Sequence, residues 1–201
     1  MLIDIQNYYN CLSFLDDKEW NKLATTDKIS VLRGIELEVS KRENRNPCLV
    51  FGQDFDSNSK VLGYYDPNNK CIILNNNYLN SNFNQSYKTA LDTILHEGRH
   101  AYQDQVVNNL IEHDNLVEKN EWKYNNEHYY SPEKNYEKYW KQPIEVDARN
   151  FAKNYAIQIE LDKAKTVSKD LSAKYIFENH TTISKQEELE EELKNEYGLS
   201  K

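Results

Sequence analysis

The stretch Leu91-Asp92-Thr93-Ile94-Leu95-His96-Glu97-Gly98-Arg99-His100-Ala101-Tyr102-Gln103 constrains this chain more than any other. Its centre reads H-E-x-x-H. On a helix, residues four apart project from one face, a turn from each other. Two imidazoles at that spacing can share one tetrahedral zinc ion. A glutamate beside the first histidine can take a proton from a water on the metal. Leu91, Ile94, Leu95, Ala101, Tyr102 and Val106 recur at helical spacing and predict the buried side of a helix running to about Asn109. Ser86 or Thr89 would open it.

A catalytic zinc needs three protein ligands and an open position. The third must come from another element. A histidine six residues after His100 would complete one known pattern, but that position is Val106. His113 and His128 are possible, though neither sits in a strong helical context. Glu145 does, on a helix that begins around Gln142-Pro143 with proline near its first position. Residues two apart on a helix lie about 200° apart around its axis. Glu145 and Asp147 therefore cannot both face the motif. Glu145 shares its face with Ala148 and Ala152, small residues that permit close helix packing. Glu145 is the preferred ligand. Asp147 is the alternative, or orients a ligand imidazole from behind. Arg99 points away from the metal edge, toward an ion pair with Asp147 or another acid. Gly98 costs its helix about 1 kcal/mol relative to alanine, which a close approach of neighbouring backbone would explain.

The rest of the chain predicts a mainly helical α+β protein. Asp16–Trp20 starts a first helix, and Thr26 or Asp27 caps a second through about Lys41, with Ile29, Leu32, Ile35 and Val39 inward. Asn46-Pro47 ends it. Cys48–Phe51 reads as a strand. Residues 61–74 read as a β-hairpin around Asp66-Pro67-Asn68-Asn69, whose asparagines tolerate a left-handed backbone. Residues 113–142 are rich in aromatics and poor in aliphatics. They predict a loop-rich insertion with short helical pieces, of the length usually tied to function. Beyond about 165, a capping box at Ser184–Glu187 and an acidic run to Glu192 predict a charged, solvated helix.

The combination His96-Glu97-x-x-His100 and Glu145-x-Asp147-Ala148-x-x-Phe151-Ala152 resembles the gluzincin metallopeptidases. In its shorter form it also resembles the ImmA/IrrE-like and mobile-element or toxin-associated zincin domains. The likeness spans roughly residues 60–156 in pattern. It implies a zincin-like domain, read as 1–165, with a small sheet edging the active-site cleft; residues 166–201, which carry the capping box and acidic run, are read as a charged helical extension. It implies Zn²⁺ held by His96, His100 and Glu145, with Glu97 activating water for peptide hydrolysis. The strand ending in Ile72-Ile73-Leu74 resembles the cleft-lining edge strand, which an extended peptide could join. The oxyanion requires a donor, and His128, Tyr129 and Tyr130 are the candidates. The 44 residues between His100 and Glu145, with their aromatic insertion, depart from the family pattern.

Composition narrows the partners. With 25 Lys+Arg against 33 Asp+Glu, the net charge of −8 opposes general binding of nucleic acid or anionic membranes. No apolar run approaches a membrane span, and the first residues lack the features of a Sec-type leader. Three widely spaced cysteines predict reduced thiols rather than a disulfide framework. A cytoplasmic site of action, or delivery by a route reading no such leader, is the expectation. Three functions compete: a zinc endopeptidase acting on a protein, an inactive zincin-fold binding module, and a zinc amidase acting on a non-protein amide. Glu97 favours an enzyme, since metal binding alone does not need it.

Overall fold

The computed structural model describes residues 7–80 and 87–166. The capping box at Ser184–Glu187, the acidic run and almost all of the expected 166–201 extension lie outside the described residues, as does Ser86. The chain divides into two units, Met1–Glu160 and Leu161–Lys201. In the second, residues 161–166 are helical.

The first unit is α+β, mainly helical with one small sheet. It opens with two short helices, α1 (Tyr8–Leu12) and α2 (Asp17–Trp20), whose free N–H groups are capped by the Asn7 and Asp16 side chains. Helix α3 (Thr25–Arg42) buries Ile29, Leu32, Ile35 and Val39, the face its periodicity predicts. It begins at Ala24, which offers no side-chain cap. Thr26 and Asp27 lie inside the first turn instead of capping it, where Asp27 favours the positive end of the helix dipole.

Strands β1 (Leu49–Gln53), β2 (Gly63–Asp66) and β3 (Cys71–Asn75) form a sheet in the order β1-β3-β2. The expected hairpin is β2–β3. Asp66 closes its turn by accepting from the backbone N–H groups of Asn68 and Asn69. The left-handed residue is Lys70 (φ 52°), not an asparagine. Strand β1 lies parallel to β3, pairing Leu49 with Cys71 and Gln53 with Asn75. This corrects the expectation of an edge strand at Ile72–Leu74. That strand is central and buried, and a peptide cannot join it. The free edge beside the motif helix belongs to β2.

Helix α5 (Tyr87–Val107), which follows α4 (Asn76–Leu79), buries Leu91, Ile94, Leu95, Ala101 and Val106. The insertion is more helical than its composition suggests. It contains α6 (Leu116–Glu127) and α7 (Tyr136–Lys141), capped by Asn115 and Asn135. One large ring replaces the missing aliphatics: Trp122, fully buried, packs with Val106 and Ile144. The next helix, α8 (143–160 within this unit), buries Ala148, Ala152 and Ile159. Among the described residues, no helix is long and apolar enough to cross a membrane.

Candidate metal centre

The two motif histidines stand edge to face on α5, ring centroids 4.7 Å apart. Their Nε2 atoms approach to 3.1 Å. Helix α8 brings Glu145 against them, and Ala148 and Ala152, one and two turns on along the same face, are buried. Glu145 Oε2 lies 3.3 Å from His96 Nε2, and Oε1 lies 3.5 Å from His100 Nε2. Ligands 2.0–2.1 Å from a tetrahedral zinc ion stand about 3.3–3.4 Å from each other. The observed separations match that spacing. Glu145 is 2% exposed, and its Oε2 has no hydrogen-bond partner. A buried carboxylate oxygen without a donor is costly in a folded protein. Two imidazole nitrogens and an unsatisfied oxygen converging on one point fit a divalent cation.

The electrostatics separate two carboxylates. Burial alone would raise the pKa of Glu145, but the adjacent His100 and His96 imidazoles and their charges outweigh burial. They hold its carboxyl well below the usual range. Burial is the leading influence on Glu97, and its carboxyl is pushed up despite His96 and His100. For His100, burial opposes the charged form, but Glu145 and Glu97 prevail and raise the imidazole to about 9. Glu97 Oε2 accepts a hydrogen bond from the Tyr65 backbone N–H of β2 at 2.9 Å. The sheet edge thus fixes the orientation of this carboxylate.

Of the three expected oxyanion donors, the fold brings only Tyr129 to the centre. Its hydroxyl donates to Glu145 Oε1 at 2.7 Å. Burial and the Glu145 charge raise its pKa strongly. Burial and the nearby Glu145 charge also raise the pKa of Tyr139. His128 stacks on Tyr124 at the end of α6, with its Nδ1 on the Tyr124 carbonyl. Tyr130 lies beneath the Lys138 ammonium. His113 bonds Tyr102 and Glu118 and packs on Trp122, so it supplies no ligand.

Asp147 is not a ligand. It accepts from Arg99 Nε at 2.8 Å and Nη2 at 3.2 Å, the expected ion pair, and from Gln103 Nε2 at 2.7 Å. Arg99 also reaches Glu43 at 2.8 Å and lies over the Tyr102 and Phe151 rings. Gly98 is explained by side chains rather than backbone. A Cβ there would stand 2.9 Å from Arg45 Nη2 and 3.0 Å from Glu36 Oε2. Those atoms form a buried ion pair at 2.7 Å.

Sequence reasoning assigned no role to Gln103, Tyr139, Arg149 or the Glu36–Arg45 pair. Helical spacing held a signal for two of them. Gln103 is three residues after His100, and Arg149 four after Glu145, positions that share a face. Arg149 Nη1 lies 3.8 Å from Glu145 Oε2, with its guanidinium on the Trp140 ring. No protein-family model, curated protein or solved structure matches the chain.

Proposed function

We propose that this protein is a zinc-dependent metallopeptidase that hydrolyses peptide bonds in a protein substrate. The observation that carries the reading is the convergence of His96, His100 and Glu145, at tetrahedral spacing, beside a second carboxylate that binds nothing in the cluster. A binding site for metal alone has no use for Glu97. The pattern shared with the gluzincin and ImmA/IrrE-like peptidases supports the same reading.

His96, His100 and Glu145 hold the metal. A divalent ion there supplies a Lewis acid that polarises a carbonyl and acidifies water. Glu97 is the general base. Its raised pKa brings it nearer the working pH, where proton transfer is most effective. The Tyr65 N–H holds one carboxylate oxygen, leaving the other for the attacking water. Glu97 then returns the proton to the leaving amine. Tyr129 holds Glu145 in place.

The open edge of β2 favours a peptide over a non-protein amide. Tyr65 N–H points away from β3, and strand alternation puts the N–H and C=O of Gly63 on that same side. An extended chain can pair there, next to Glu97. The test is incubation of the zinc-loaded wild type and Glu97→Gln with a protein mixture, mapping new termini. New termini only with the wild type support the peptidase. Identical profiles without new termini would shift the assignment to a binding module.

A further inference from the structure

Gln103 is fully buried, and its amide is fixed from both ends. Nε2 donates to the Ile144 carbonyl at 2.9 Å and to Asp147 Oδ2 at 2.7 Å. A carbonyl and an ionised carboxylate only accept, so the amide nitrogen must lie on that side. Oε1 is left facing His100 Nδ1 at 2.8 Å. An amide oxygen also only accepts, so Nδ1 carries the hydrogen. In the neutral ring, the bare lone pair then belongs to Nε2, the atom facing His96 and Glu145.

The orientation of Asp147 is itself enforced. Arg99 grips both of its oxygens and is held from the other side by Glu43. Glu43 accepts from Arg45 Nε at 2.9 Å, and Arg45 forks onto both oxygens of Glu36. A chain of charge-assisted bonds therefore runs from α3 to the amide that touches His100. A residue that merely filled this space would need only volume, not two donors and one acceptor in these directions.

We propose that Gln103 is a positioning residue, selecting the nitrogen that His100 presents to the metal, with Asp147 and Arg99 locking the amide in the one orientation that does so. The proposal rests on the metal-centre reading above. Loss of such a supporting hydrogen bond typically weakens metal binding by about 10–100-fold.

The test uses the full chain with ¹⁵N-labelled histidine: wild type, Gln103→Met and Asp147→Asn. Zinc affinity is measured by competition with a chelator. The nitrogen bound in His100 is read from two-bond ¹H–¹⁵N spectra of the zinc-loaded forms. Wild type shows ligated Nε2 and protonated Nδ1. Gln103→Met binds zinc about 10–100-fold more weakly and loses the ordered Nδ1–H signal. Asp147→Asn, which preserves shape, shows a smaller loss because the Gln103 amide can turn. It carries the test if the methionine variant does not fold. Both variants binding within about twofold of wild type, with His100 nitrogens unchanged, would overturn the proposal while leaving the metal centre intact. Absence of zinc binding by the wild type would overturn both.

Discussion

Glu97 and Glu145 show how environment divides labour between like residues. Glu145 sits against two imidazoles and is driven to stay ionised, as the proposed ligand role requires. Glu97 is dominated by burial and is driven toward the proton, as suits the proposed base. Tyr129 acts on the first of these. Tyr129→Phe removes a 2.7 Å donor from the ligand carboxylate and should weaken zinc binding about tenfold. Tyr130→Phe, which touches Lys138 instead, should leave it unchanged. Equal zinc affinity in all three proteins, by chelator competition, would deny Tyr129 this role. The convergence of His96, His100 and Glu145 was legible in the sequence because its geometry is local: four residues along one helix, and an acid sharing a face with two alanines. His128 and Tyr130 were misread because nothing local says where a side chain points within an insertion. Gln103 was passed over, although it follows His100 at a spacing that puts both on one face.

At the level of elements, the motif helix can lie against the α3–β1 junction only because residue 98 has no side chain. Arg45 and Glu36 are fully buried and pair with two bonds, so they cannot easily yield to a methyl group. Alanine would gain about 1 kcal/mol of helix propensity. Crowding a close-packed site costs about 1–3 kcal/mol. Gly98→Ala should therefore lower stability by about 1 kcal/mol, read as a lower denaturant midpoint at unchanged slope. A raised midpoint would show that the pair relaxes freely. The α5 face and the β2–β3 hairpin followed from periodicity and turn chemistry. The parallel pairing of β1 with β3 did not, because Cys48–Phe51 carries no mark of its partner. Helix α6 was underestimated because its apolar burial is concentrated in Trp122 rather than spread along an aliphatic stripe, and α7 because it buries no residue at all.

Across the whole molecule, the centre joins elements far apart in sequence. Helix α5 supplies two candidate ligands and the proposed base, α8 the third candidate ligand, the insertion the Tyr129 phenol on it, and β2 the N–H that orients Glu97. The fold class was visible in the order of elements, whereas the closure of α8 onto α5 is a tertiary event anticipated only through the chemistry it completes. Zinc content tests whether that closure builds a metal site. Wild type, His96→Ala and Glu145→Ala are purified alongside one another and measured by elemental analysis after removal of loose metal. The account predicts about one zinc per chain in the wild type and almost none in either variant, since a structural or catalytic site needs at least three protein ligands. Equal zinc in all three proteins, or none in the wild type, would contradict it.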